Sequence, residues 1–308
     1  MDFKLQDITI EGRKCCLTNH YQKYLESDLK FPVKDDDLWI VTFPKCGSNW
    51  MVEVASLVKN NFEIQGASTK PLNEKYSHVE QIALRFPEGS PQMERFEAEI
   101  KNPKPNRILK SHLPLPFLPQ EILTKKPKVI YVVRNVKDCV VSSYHFFTAL
   151  GDFKGSLQEY VRKFIEGQVV FAPFWDHVLE FYERRNDENV FFVSYERMIL
   201  DMESVLKELC LFFGTEIPDQ EVLDQSIKHL SFKEMKESTS MIQLQEIVDR
   251  LKARFDTNKD FQFMRKGTIG SYKEELTESM IKDLDCWTKK ALEYRNLTED
   301  QILNFKKH

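Results

Sequence analysis

Leu38-Trp39-Ile40-Val41-Thr42-Phe43-Pro44-Lys45-Cys46-Gly47-Ser48-Asn49-Trp50 is the stretch whose reading decides the fold. Residues 38–43 form a continuous apolar run, typical of a buried parallel strand. A loop follows. Residues 50–59 then read as a helix with Met51, Val54, Ala55 and Val58 on one face. In such a strand–loop–helix the backbone N–H groups converge, and the helix N-terminus adds positive potential. Lys45 supplies a mobile cation, Ser48 and Asn49 supply side-chain donors, and Gly47 allows a close backbone approach. The order differs from the Walker A loop, which ends Gly-Lys-Ser/Thr and places the hydroxyl on Mg²⁺. Here the lysine precedes the glycine. Spacing alone fits either an anion cradle or an ordinary βα turn that holds a lysine.

Working outward, Arg107-Ile108-Leu109-Lys110 reads as a short strand that the prolines of Ser111-His112-Leu113-Pro114-Leu115-Pro116 end. Lys128–Val133 is the clearest strand, followed by Arg134-Asn135 and a helix over 136 to about 147. Helices fill about 156–185, and Val190–Tyr195 is a further buried strand. More helices are expected at about 201–213, 219–227, 242–256, 277–295 and 298–307, while 60–105 is polar with short helices at most. Buried strands alternating with helices predict an α/β fold with one parallel sheet covered on both faces. No Gly/Ser/Pro-rich linker divides the chain, so residues 1–308 read as a single domain.

The 308 residues are 42% hydrophobic, enough for a large core, and carry a formal net charge of −4. That balance lacks the basic excess of a duplex nucleic-acid binder, so anionic ligands must be met by local basic clusters. Met1–Asp7 lacks the apolar run of a signal peptide, and no stretch approaches the roughly 18 apolar residues of a membrane helix. Six scattered cysteines without a CxxC pair fit reduced thiols, without a disulfide framework or a zinc site, in a cytoplasmic protein. Cys46, beside Lys45 at a helix N-terminus, reads either as a thiolate-prone redox site or as a small space-filler. The 23 phenylalanines are mostly core by number, and some can line an apolar pocket.

Ligands of open α/β sheets bind at the carboxyl ends of the strands. Lys45, Lys110–His112, Arg134 and Tyr195 all follow predicted strands and can share that rim. Phe263-Met264-Arg265-Lys266-Gly267 is a separate basic cluster.

Taken together, these motifs resemble the cytosolic sulfotransferases, which use 3′-phosphoadenosine 5′-phosphosulfate. The resemblance runs over almost the whole chain. It is carried in order by Thr42–Trp50, Lys110-Ser111-His112-Leu113-Pro114, Tyr131–Asn135 with Lys137-Asp138, Ser194-Tyr195-Glu196, Ser231–Met235 and Phe263–Gly267 with Gly270. It implies that Lys45, Cys46, Gly47, Ser48 and Asn49 hold the 5′-phosphosulfate. Arg134, Ser142, Arg265, Lys266 and Gly267 would hold the 3′-phosphate. Trp50, Tyr195 and Phe232 would surround the adenine, with Leu230, Ser231, Phe263 and Met264 beside the nucleotide. His112 would be the catalytic base, with Lys110 next to it and Lys45 stabilising the leaving group. Phe86 and Phe146 would line the pocket of a small lipophilic acceptor, and no metal would be needed.

Some positions depart from the family pattern. Cys46 replaces Ser or Ala, Ser48 replaces Thr, and Leu230 stands where a Thr usually precedes Ser231-Phe232. In the dimer segment Lys273 and Thr277 are kept, but Glu278 replaces Val and Lys282 replaces Glu. A homodimer is therefore possible but poorly specified. Three alternatives stay open: sulfuryl-assisted dehydration of a small alcohol, a non-catalytic nucleotide- or lipophile-binding protein, and a P-loop kinase. The kinase would need the missing Gly-Lys-Ser/Thr.

Overall fold

The computed structural model describes residues 4–18, 21–22, 31–64, 70, 75–80, 91–255 and 261–306. Its centre is a five-stranded sheet. In chain order with an N-terminal hairpin, the strands are β1 (Leu5–Ile10), β2 (Arg13–Thr18), β3 (Leu38–Thr42), β4 (Ser77–His78), β5 (Ile108–Ser111), β6 (Lys128–Val133) and β7 (Val190–Ser194). The sheet order is β4-β5-β3-β6-β7, and every pairing is parallel.

Strand periodicity explains why these segments read as unbroken apolar runs. Successive side chains point to opposite faces, and both faces are covered. Trp39, Val41, Val129, Tyr131 and Val133 pack on one side with helices 136–149, 157–165 and 174–182. Leu38, Ile40, Ile130 and Val132 pack on the other with helices 48–59 and 202–213. One α/β unit results, as expected. Because the strands are parallel, Lys45, His112, Arg134 and Tyr195 all leave the sheet at one edge.

The structure also differs from the sequence expectations. The hairpin β1–β2 was not anticipated; it pairs antiparallel from Leu5↔Thr18 to Ile10↔Arg13. It docks through Cys16, whose N–H donates to the Ala172 carbonyl at 2.9 Å and whose carbonyl accepts from Phe171 N–H at 2.7 Å. Residues 60–105 hold more than short helices: an 11-residue helix spans Pro91–Lys101, and β4 adds to the sheet edge. The helical stretch 156–185 is two helices, Leu157–Ile165 and Phe174–Tyr182, separated by the extended Pro173. All six cysteines are free thiols. Among the described residues no helix is long and apolar enough to cross a membrane.

Candidate active site

The phosphate loop is shaped by two left-handed residues. Lys45 has φ +69° and Gly47 has φ +105°. A Cβ on Gly47 would sit 2.7 Å from the Tyr195 ring, so this position accepts only glycine without movement. The helix Ser48–Lys59 starts here, and its N-cap Gly47 offers no side-chain acceptor. The first-turn N–H groups of a helix have no intrahelical partners, so they are left to bind an anion. Lys45 Nζ lies 3.8 Å from the Phe263 ring centroid and 4.4 Å from that of Phe146. Burial, then the positive charges of Arg134 and Lys110, push its pKa down to about 7.

Cys46 fits the space-filler of its two readings. It is fully buried, its Sγ lies 3.7 Å from Cys139 Sγ, and burial pushes its pKa up. The helix N-terminus therefore does not make it thiolate-like. It is a space-filler behind the loop, and its side chain turns away from the ligand-facing side.

Arg134 Nη1 donates to the Lys45 carbonyl at 3.2 Å, and the guanidinium lies 4.4 Å over the Tyr195 ring. Its buried Nε has no hydrogen-bond partner among the described residues. The Trp50 indole N–H donates to the Leu230 carbonyl at 2.9 Å, and its ring meets Tyr195 edge-on at 5.4 Å. Gly267, with φ +68°, lies so close to Phe232 that a Cβ would come within 2.0 Å of that ring. Ser231 caps the helix Phe232–Lys236, accepting from Glu234 N–H at 3.4 Å. Arg265 pairs with Glu275, and Lys266 Nζ with Glu274 at 2.7 Å. The basic cluster is thus held from behind by two acids that the sequence reading did not connect to it.

At the other end, Lys110 Nζ donates to Asn49 Oδ1 at 2.8 Å and to the Tyr76 hydroxyl at 3.2 Å. Asn49 Oδ1 therefore acts as an acceptor within the site. Burial pushes the Lys110 pKa down to about 8. His112 Nδ1 lies 2.9 Å from the Thr42 carbonyl and 3.2 Å from its hydroxyl. A carbonyl only accepts, so Nδ1 carries the hydrogen and Nε2 keeps the lone pair. Burial, then the charges of His78 and Lys110, push the His112 pKa well below its ordinary value. The Phe171 ring packs on His112 at 5.6 Å.

One cavity of about 560 Å³ joins these groups. Its walls include Lys45, Gly47–Trp50, Lys110, His112, Arg134, Ser142, Phe146, Tyr195, Leu230–Phe232 and Phe263–Gly267. Cys46 lies behind its wall, and Phe86 falls outside the described residues. The residues His78, Tyr76 and Phe171, also in its wall, escaped the sequence reading. So did the buried Glu80, whose Oε1 accepts from His112 N–H at 2.6 Å. The signal was present: Tyr76, His78 and Glu80 alternate at the two-residue spacing of one strand face. Only His78 of the three lies in β4, a two-residue edge strand too short to recognise.

An adenine nucleotide with two phosphate positions fits these walls. The loop N–H groups and Lys45 suit one anion, the guanidinium of Arg134 lines the cavity beside it, and the Trp50–Tyr195–Phe232 rings suit a base. A strand–loop–helix anion cradle lining the same cavity as His112 is an arrangement suited to transferring a group from an anionic donor. Comparison with known proteins makes the class specific. The sulfotransferase-domain family model matches residues 35–296. Luciferin sulfotransferase of Photinus pyralis is 30% identical over 306 residues, covering 96% of this chain and 82% of that protein. The 3-beta-hydroxysteroid sulfotransferase of Cavia porcellus is 32% identical over 258 residues, covering 83% of each. The solved structure of retinol dehydratase with androsterone and the inactive cofactor PAP matches with a TM-score of 0.79. It covers 94% of this chain and 90% of that one at 22% identity, a likeness of fold. The chain belongs to the sulfotransferase family, whose members transfer a sulfuryl group to a small acceptor.

Proposed function

We propose that this enzyme transfers a sulfuryl group from 3′-phosphoadenosine 5′-phosphosulfate to a hydroxyl or amine of a small lipophilic acceptor, using residues 1–308 as one catalytic domain. The observation that supports the reading is that Lys45, the loop residues Gly47–Trp50 and His112 all line one cavity.

The nucleotide supplies the activated sulfuryl group when bound. Lys45 and the N–H groups of Gly47–Trp50 bind the phosphosulfate end. Arg134, Ser142, Arg265, Lys266 and Gly267 bind the second phosphate, and Trp50, Tyr195 and Phe232 hold the base. His112, neutral at pH 7, takes the acceptor proton at Nε2. Lys45, when protonated, offsets the negative charge that grows at the phosphate end, a contribution typically of about 3–4 kcal/mol for one such group. Lys110 keeps Asn49 and the loop in register with His112. Phe146, Phe171 and the hairpin residue Leu5 make the acceptor end apolar.

Incubation with sulfate-labelled nucleotide and a panel of phenols, steroids, other lipophilic alcohols and amines tests the reading. Label should appear in at least one acceptor, as a stable ester or sulfamate. Specific nucleotide binding with no labelled product from any acceptor would mark a binding protein and overturn it. Loss of water from the acceptor with release of free sulfate would mark the dehydratase alternative.

A further inference from the structure

The functional reading leaves unused the most completely buried acid beside the proposed base. Glu80 is 0% exposed. Its Oε1 accepts from the His112 backbone N–H at 2.6 Å and lies 2.9 Å from His78 Nε2. Burial works to raise its pKa, but His78 and His112 outweigh burial and hold the carboxyl at about 2. It is therefore an acceptor-only carboxylate, and His78 Nε2 carries the hydrogen that faces it. The two imidazoles stand edge to face, with centroids 5.2 Å apart, and both line the acceptor end of the cavity.

We propose that Glu80 is the positioning residue of the base: its carboxylate fixes His112 and His78 around the acceptor oxygen and balances the charge on His112 as it takes the acceptor's proton. The inference rests on the function proposed above.

The need for such a group follows from what faces His112. Lys110 and His78 both disfavour a charged imidazole there, as does burial. His177 donates from Nε2 to the His112 carbonyl at 2.9 Å and hydrogen-bonds the Tyr131 hydroxyl through Nδ1 at 2.8 Å. Burial holds His177 neutral, with a pKa of about 4, so it offers no negative charge. The influences that favour the charged form are Glu80 and the hydrogen bond to Thr42. In the transfer step the acceptor O–H bond breaks and its proton moves to His112 Nε2. The electron pair left on oxygen forms the new O–S bond, while the old S–O bond breaks with its pair leaving on the nucleotide phosphate. The step creates a cation on His112, and Glu80 is the carboxylate beside it.

Local structure explains how the acid arrives there. β4 joins the sheet edge with His78 opposite Lys110, and Val79 N–H donates to the Lys110 carbonyl at 3.0 Å. Pairing with β5 therefore places the 76–80 segment beside the residue two positions before His112.

Glu80→Gln separates charge from shape, because the amide oxygen can still accept both hydrogen bonds. An aliphatic alcohol depends on the base, whereas 4-nitrophenol near pH 8 is largely ionised and does not. We expect turnover of the alcohol to fall at least about tenfold, turnover of 4-nitrophenol to change less than about twofold, and adenosine 3′,5′-bisphosphate binding to stay the same. A readout without turnover is the ionisation of 4-nitrophenol bound with the bisphosphate. Removing the negative charge should move it to lower pH by at least about threefold in its ionisation constant. Glu80→Asp should restore part of the alcohol rate, and it carries the same comparison if Glu80→Gln does not fold. Equal losses on both acceptors, with an unchanged probe ionisation, overturn the inference and leave the sulfotransferase reading intact. A wild-type chain that sulfates neither kind of acceptor overturns both.

Discussion

The two ends of the cavity are built differently. The first anion site at the nucleotide end is made by contiguous residues: Lys45, Gly47, Ser48 and Trp50 lie within six positions on one strand–loop–helix, and Arg134, Tyr195, Phe232 and Arg265 join them from further along the chain. The acceptor end is assembled from distant pieces. His112 leaves β5, His78 comes from the edge strand β4 and Glu80 from the turn after it, and Phe171 projects from the turn on which the hairpin β1–β2 docks. Each end holds its charges against burial in its own way. At the nucleotide end burial, then the neighbouring cations Arg134, Lys110 and Arg265, push Lys45 down to about 7. At the acceptor end a base and an acid face each other, and the acid stays ionised down to about 2. The first arrangement waits for an anion to complete it. The second is already balanced and is suited to moving a proton.

The sharpest way to break this comparison is to remove the base. His112→Ala should lower kcat by about 10²–10⁴-fold, the usual worth of a general base, while adenosine 3′,5′-bisphosphate affinity stays within about twofold. If calorimetry instead shows nucleotide affinity falling in parallel, the two ends are not separate. Lys45→Met comes next. If the cation acts on charge that develops during transfer, kcat should fall by about 10²–10³-fold. A rise in KM alone would assign Lys45 to ground-state binding.

Legibility followed contiguity. The order strand, Lys45, Gly47, helix is readable because neighbours in the chain are neighbours in the site. The five parallel strands were readable in four cases: β3, β6 and β7 are mostly apolar runs covered on both faces, and β5 shows as Ile108-Leu109 ahead of the prolines that end it. β4 was not, since two residues carry no periodicity. The hairpin β1–β2 was not read either; Leu5–Ile10 has the alternating exposure of a one-sided strand, set among polar residues. Cys46 was left between two readings for a related reason. Its sequence neighbours suggested an electropositive thiol, but its side chain meets Cys139, 93 positions away. Glu275 behind Arg265 is the same kind of case, a tertiary partner with no local signature.

A smaller effect is expected at Gly267. A methyl group there would press into the Phe232 ring at 2.0 Å, and φ +68° adds backbone strain. Gly267→Ala should weaken bisphosphate binding by about 5- to 150-fold, from the 1–3 kcal/mol typical of overpacking. It should leave the alcohol-to-phenol rate ratio unchanged. A changed ratio with intact nucleotide binding would mean that Gly267 serves the acceptor end.

The smallest effect sharpens the comparison most. In the free chain Lys45 loses its proton near pH 7, whereas in an unfolded chain a lysine keeps it to about pH 10.4. Between these values the unfolded state binds more protons, so the stability of the free chain should rise with pH through that window. The cost of confining the cation is fully present below it. An anion in the loop restores the proton, so nucleotide binding should take up protons above pH 7. If Lys45 alone is coupled, the apparent Kd for adenosine 3′,5′-bisphosphate should rise by about fivefold from pH 7 to pH 8. Calorimetry in buffers of different ionisation enthalpy reads this directly, and Lys45→Met should abolish it. His112→Ala should not, because that ring is already neutral throughout this range. Proton uptake that survived Lys45→Met would shift the coupling to Lys110, which burial holds at about 8 and which Asn49 ties to the same loop. The boundary between the anion-completed end and the self-balanced end would then lie one residue deeper, at the Lys110–Asn49 hydrogen bond.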